Sequence, residues 1–192
     1  MNETGNIKHP ERLPQILSET ARLNFTMASD LLTGCLLRTL AASKPAGKFL
    51  ELGAGTGVAT AWMLDGMDEK SRLISIEINE VNLEVAKEIL GADPRVFFVQ
   101  ADGGEWLSRA EPGQFDLIFA DSWPGKYTHL DEALRSLKLG GLYVIDDMLP
   151  QPNWPDGHTQ RVDELISILE NRKDLHITKL NWSTGIIIGT KT

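Results

Sequence analysis

Glu51-Leu52-Gly53-Ala54-Gly55-Thr56-Gly57 sets three glycines at alternate positions directly after an apolar run and ahead of VATAWML. Glycines there let the backbone turn sharply and let a ligand lie against it. A helix starting beyond them offers free N–H groups to an anionic group. The spacing differs from a dinucleotide-binding turn, because the third glycine comes one residue early and Val58 stands where that pattern requires glycine. A tight strand-to-helix turn without a ligand also accounts for the motif taken alone. Further along, ISIEIN carries Glu77, either a solvated strand end or an acceptor for ribose hydroxyls. VQADGGEW carries Asp102 beside Gly103, where it either caps a helix or accepts from an adenine amino group. Asp121 closes the apolar run FDLIFAD and precedes Ser122-Trp123-Pro124-Gly125-Lys126-Tyr127. A carboxylate so placed can hold a cofactor, bind a metal, take a proton or cap a loop.

These residues act together only if a scaffold gathers their strand ends. KFLELG, RLISIEI, RVFFVQ, FDLIFAD and GLYVIDD are short apolar runs separated by segments long enough for a helix or a crossover turn. That alternation predicts a parallel sheet with both faces covered. VNLEVAKEIL puts Leu83, Ala86, Ile89 and Leu90 on one helical face, and QRVDELISILE does the same with Val162, Leu165, Ile166 and Leu169. HITKLNW and GIIIGTK are joined by Ser183-Thr184, close enough for a hairpin and too close for a parallel crossover, so the sheet is expected to end with one antiparallel strand. Ahead of the sheet, residues 1–25 read as an arm leading into helix. Residues 26–42 carry Met27, Leu31, Cys35 and Leu36 at helical spacing before Ser43-Lys44-Pro45. That apolar face must bury, either over the ligand edge or against a second copy of the chain in a homodimer.

A chain of 192 residues with 42% hydrophobic residues suffices for one well-buried core. One domain is expected over residues 1–192, made of a helical arm or lid at 1–45 and a ligand-binding core at 46–192. MNETGNIKHPERLPQ lacks the apolar segment of a signal peptide and no run is long enough to span a bilayer. No membrane partner is therefore expected, and the expected location is cytoplasmic. Cys35 is the only cysteine, which rules out an intrachain disulfide and disfavours a thiolate zinc cluster. With 19 basic against 27 acidic residues, a net charge of −8 and no basic cluster, the composition argues against nucleic acid as a partner. His129 and His158 are candidate bases and Trp123, Trp154 and Trp182 candidate pocket walls. Loop histidines more often lie at the surface, and tryptophans at loop edges more often cover a core.

The combination of acidic-x-Gly-x-Gly-x-Gly, an acidic residue ending the second strand and an Asp ending the third resembles the class I S-adenosylmethionine-dependent methyltransferases. The resemblance implies a Rossmann-like α/β fold, doubly wound, with a mostly parallel seven-stranded sheet, a terminal antiparallel strand and added N-terminal helices. It also implies that S-adenosylmethionine is held by Glu51, Gly53, Gly55, Gly57, Glu77, Asp102, Gly103 and Asp121. Nucleic-acid amino-methylases of this superfamily follow the fourth-strand Asp or Asn with Pro-Pro and an aromatic residue, and Asp121-Ser122-Trp123-Pro124 lacks that motif.

Asp121-Ser122-Trp123 with Tyr127, together with ISIEIN and GGLYVIDDM, is instead similar to catechol O-methyltransferase and its caffeoyl-CoA relatives. That likeness implies methylation of a hydroxyl on a small-molecule acceptor, with Asp121 as the catalytic residue. It further implies that Asp121, Asp146 and Asp147 are hard oxygen ligands to Mg²⁺ or another divalent cation. Two departures stand out: Asp147 replaces the family's Asn, and Pro124 occupies the position of the catechol enzyme's lysine base. Lys126 lies two residues beyond, where the alignment does not place it. A solvated strand end remains the alternative for Asp146-Asp147. For the whole chain the alternatives are a metal-free N- or carboxyl-methyltransferase and a cofactor-binding protein without catalysis; a dehydrogenase is disfavoured by the glycine spacing.

Overall fold

The structure, a computed structural model, describes residues 5, 7–152 and 154–192; the remainder of the expected arm, residues 1–4 and 6, lies outside the described residues. Two helices come first, α1 at Leu13–Arg22 and α2 at Leu31–Ala42. Strands and helices then alternate as β1 (Lys48–Leu52), α3 (Val58–Gly66), β2 (Arg72–Glu77), α4 (Glu80–Leu90), β3 (Val96–Gln100), α5 (Gly103–Arg109), β4 (Phe115–Ala120), α6 (Leu130–Ser136) and β5 (Leu137–Ile145). The chain closes with α7 (His158–Glu170), β6 (Leu175–Leu180) and β7 (Ile186–Lys191).

The seven strands form one sheet in the order β3-β2-β1-β4-β5-β7-β6. Strands β1 to β5 pair in parallel, as their apolar runs and helical connections require. The chain starts in the middle of the sheet, builds outward through β2 and β3, then returns to the other side of β1 with β4. The crevice at that reversal opens at the strand C-termini, where open α/β sheets take ligands. The expected hairpin is present, and β7 lies antiparallel to both β5 and β6. The antiparallel strand is therefore inserted one place inside the edge, which β6 forms.

Alternation along the strands divides the core between two faces. Phe49, Leu117 and Phe119 pack with Leu13 and Ile16 of α1, Leu37 of α2 and Trp62 of α3. Leu50, Leu52 and Ile118 pack on the opposite face with Leu107 of α5, Leu134 of α6 and Val162, Leu165 and Leu169 of α7. The helical faces read from α4 and α7 are the ones that bury: Leu83, Ala86 and Leu90 in one, Val162, Leu165 and Leu169 in the other.

The expected helix over residues 26–42 starts later, at Leu31. Asp30 is extended and its carboxylate accepts from the N–H groups of Leu32 and Thr33, satisfying donors that would otherwise be orphaned and fixing the start there. Met27 thus falls outside the helix and is 70% exposed. The stretch before it is more structured than an arm. α1 buries Leu13 and Ile16 completely, so one face of this helix is part of the core.

Candidate functional site

A cavity of about 500 Å³ occupies the crevice, lined by the turns after β1, β2, β3 and β4 and roofed by residues 25–29. Its floor is the glycine turn. Gly53 has φ +97°, and a Cβ there would lie 2.6 Å from the carbonyl oxygen of Asp121. Only glycine lets β1 and β4 end this close together with that backbone. Gly55 and Gly57 are also left-handed, and Gly57 precedes the first turn of α3.

Glu77, half-buried at the end of β2, spans the turn. One carboxylate oxygen accepts from the Gly55 N–H at 2.8 Å and the other from the Asn79 N–H at 2.8 Å. Asp102, after β3, caps α5 through a single oxygen, which accepts from the N–H groups of Gly104 and Glu105. It also lines the cavity with Gly103, so the helix-cap reading holds and the residue borders the cleft as well. Asp121 continues β4, its N–H donating to the Leu52 carbonyl at 2.9 Å. Ser29 donates to its carboxylate at 2.9 Å, tying the roof to the floor across 92 residues. Nothing in the sequence marked Ser29, because only the folded chain brings the α1–α2 connection over β4.

Two residues expected to hold the cofactor take other positions. Glu51 is fully buried and, like Gly57, does not line the cavity. One of its oxygens accepts from Thr60 of α3 and Ser75 of β2, while the other has no partner among the described residues. Burial in this apolar setting pushes its carboxyl up to about 7, against the two hydrogen bonds that favour ionisation. Glu51 therefore acts behind the turn, binding β1, β2 and α3 together.

Beyond Asp121 lies a second group of polar residues. In the turn Trp123–Thr128 the N–H groups of Lys126, Tyr127 and Thr128 all point to the Trp123 carbonyl, at 3.1, 2.9 and 3.2 Å. Gly125, at φ +89°, donates its own N–H to Thr128 at 2.7 Å. The tight turn sends the Lys126 side chain inward. Lys126 is 5% exposed, and its ammonium donates to the main-chain carbonyl of Asp146 at 2.9 Å. Asp146 is buried at the end of β5, and one of its oxygens accepts from the Thr184 hydroxyl and the Asp147 N–H. Burial raises both Asp121 and Asp146 above the ordinary carboxylate range; Lys126 draws Asp121 down and Asp147 pushes both up.

His158, the first residue of α7, is buried, not at the surface as expected for a helix-borne or loop histidine. Its ring meets the Tyr127 hydroxyl through Nε2 at 3.1 Å, and Nδ1 is buried without a partner among the described residues. Burial lowers its pKa, followed by the charge of Lys126, which favours the neutral ring. Trp154 lies 4.5 Å from it between ring centroids, and Trp123 meets Tyr127 edge-on. His129 is exposed at the start of α6. Trp182 packs against the core and donates to the Leu32 carbonyl, the plainer of its two expected roles.

The expected divalent-metal site can be judged on its donors. Among the described residues no three His, Cys, Asp or Glu side chains group so as to hold a metal ion. One oxygen of Asp121 is engaged by Ser29 and one of Asp146 by Thr184 and the Asp147 N–H, while the Lys126 ammonium lies on the Asp146 main-chain carbonyl and its charge acts on Asp121. This arrangement does not fit a divalent ion held by Asp121, Asp146 and Asp147. The reason is local: the turn after Trp123 delivers a buried cation that the sequence alignment could not place.

Residues 50–148 match the family described as Methyltransferase domain. A putative O-methyltransferase of Mycolicibacterium vanbaalenii is 32% identical over 117 residues, covering 58% of this chain and 52% of that protein. The chain thus matches about half the length of its curated relatives. A putative O-methyltransferase from Klebsiella pneumoniae has the same fold, with a TM-score of 0.82 and 25% identity over 97% of this chain and 92% of its own. The O-methyltransferase TomG of Streptomyces achromogenes, solved in complex with SAM, gives a TM-score of 0.83 at 22% identity over 99% and 93% of the two chains. Among the described residues no helix is long and apolar enough to cross a membrane.

Proposed function

The chain belongs to the methyltransferase-domain family, and from that premise we propose that it methylates a hydroxyl group of a small molecule, using S-adenosylmethionine. The observation that carries this reading is the convergence of Glu77, Asp102 and Asp121, from three successive strand ends, on one cavity floored by side-chain-free glycines. A dinucleotide cofactor is disfavoured by Val58 at the position of the third glycine of that fingerprint.

The cleft suits the cofactor. Each Glu77 oxygen takes one backbone N–H and keeps acceptor capacity for ribose hydroxyls. Asp102 uses one oxygen as a helix cap and has the other for an adenine amino group. Gly53, Gly55 and Gly103 let the remainder of the ligand lie against main chain. When bound, S-adenosylmethionine supplies a methyl carbon already activated on a positively charged sulfur.

The protein's own work is alignment and exclusion of water. Phe25, Met27 and Ser29 cover the cleft, and the Ser29 hydroxyl holds the Asp121 carboxylate in place. Trp123 lines the cleft and packs edge-on against Tyr127, which His158 backs, while the Arg161 guanidinium lies over the Trp123 ring; this aromatic wall suits an aromatic small molecule. Incubation with methyl-deuterated S-adenosylmethionine and a panel of phenols, catechols, amines and carboxylic acids tests the reading. Deuterated methyl should appear on an oxygen of a hydroxyl-bearing acceptor. Transfer only to amines or carboxylates, or none across the panel, contradicts it.

A further inference from the structure

Lys126 is the least expected charge in the molecule. A lysine rarely buries unless something inside the protein requires its charge. Its ammonium has three donors, and among the described residues one is used, on the Asp146 carbonyl. Its charge acts on Asp121, and Asp121, Asp146 and Asp147, the carboxylates expected to hold a divalent ion, act on one another.

We propose that the Lys126 ammonium is the resident cation of this carboxylate cluster, standing in for a divalent metal, so that the protein works without one. Three independent features support the assignment. The turn that carries Lys126 is rigidly specified, with three N–H groups on one carbonyl and Gly125 in the left-handed region, so the inward course of the side chain is built in. One oxygen each of Asp121 and Asp146 is already engaged, by Ser29 and by Thr184 with the Asp147 N–H, which fixes the orientation of both carboxylates without a metal. A dication entering beside a fixed ammonium would also meet electrostatic repulsion. Lys126 could instead merely offset the charge that Asp147 adds, leaving a metal site intact. That alternative predicts metal binding by the native protein.

The inference takes this cleft to be the methyl-transfer site, and S-adenosylhomocysteine binding, measured in parallel by calorimetry, separates failure of that reading from failure of this one. Mn²⁺ is titrated into native protein and into Lys126→Met, with free Mn²⁺ read by electron paramagnetic resonance. Native protein should show no saturable Mn²⁺ binding below millimolar concentration and no Mn²⁺-dependent change in melting temperature. Lys126→Met, with a cation removed from among carboxylates, should bind Mn²⁺ at least about tenfold more tightly than native protein. Lys126→Arg should behave like native, and its measurement holds even where the methionine variant does not fold. Micromolar Mn²⁺ binding by native protein that Asp146→Asn abolishes overturns the proposal, as does a folded Lys126→Met protein whose Mn²⁺ affinity is unchanged.

Discussion

The hydroxyl of Thr56, in the glycine turn, donates to the hydroxyl oxygen of Thr20 at 2.7 Å. The direction follows because the single Thr20 proton is committed to the Ile16 carbonyl, also at 2.7 Å. Both threonines are buried, so the last turn of α1 is fastened to the floor of the ligand cleft. The N-terminal helix is thus continuous with the cofactor site.

It follows that α1 contributes to stability as core does. Ile16→Ala removes a fully buried side chain and should cost about 2–5 kcal/mol, read by urea denaturation. Deleting residues 1–25 should give a protein that aggregates or melts at a lower temperature. A loss within about 0.5 kcal/mol, the usual range for surface positions, would show that α1 packs only peripherally.

Gly53→Ala should disrupt the cleft. The added Cβ would meet the Asp121 carbonyl at 2.6 Å, in a backbone conformation at φ +97° that costs a non-glycine residue about 1–3 kcal/mol by itself. Gly113→Ala serves as the control, since Gly113 also has positive φ but nothing lies within 4 Å of the new Cβ. Both variants should melt earlier, but only Gly53→Ala should lose S-adenosylhomocysteine binding. Equal binding by the two would show that the close approach of β1 and β4 does not shape the site.

Glu51 makes a prediction about pH. Its carboxyl is raised from 4.5 to about 7 in the folded protein. Between those values the folded state binds the extra proton, so the stabilisation is full below about 4.5 and is lost as pH rises through 7. Glu51→Gln keeps an acceptor for Thr60 and Ser75 without the charge. Its stability relative to native should therefore improve from pH 5 to pH 8, by at most on the order of 3 kcal/mol. Asp121 and Asp146 shift in the same direction, but they are common to both proteins and cancel in the difference. Parallel pH–stability curves for the two proteins would show that Glu51 is ionised throughout.

The sheet and most of the residues that line the cleft were legible because they obey local rules. Runs of alternating or continuous apolar residues give strands, glycines at 53, 55 and 57 give a turn that no other residues can make, and Glu77 and Asp102 fall at strand ends. The burial of Glu51 was not legible because sequence does not state depth: one residue past Leu50 its side chain turns toward Thr60 and Ser75, under the turn and outside the cleft lining. The start of α2 was placed early because Met27 continues the spacing of Leu31 and Cys35, whereas the Asp30 carboxylate decides the boundary. Lys126 could not be placed because Pro124 and Gly125 fold the chain back, and only the resulting turn shows which way the next side chain points. Ser29 and His158 gained their roles from contacts across 92 and 31 residues, which no local pattern announces.

The central claim is that the cleft between β1 and β4 binds S-adenosylmethionine through Glu77. Calorimetric titration of S-adenosylhomocysteine and NAD into native protein and Glu77→Ala tests it most directly. Native protein should bind S-adenosylhomocysteine at micromolar strength and NAD not at all. Glu77→Ala should weaken the former by about 1.5–3 kcal/mol, the scale for hydrogen bonds to a charged group. Equal affinity for NAD, or S-adenosylhomocysteine binding untouched by the substitution, would contradict the account.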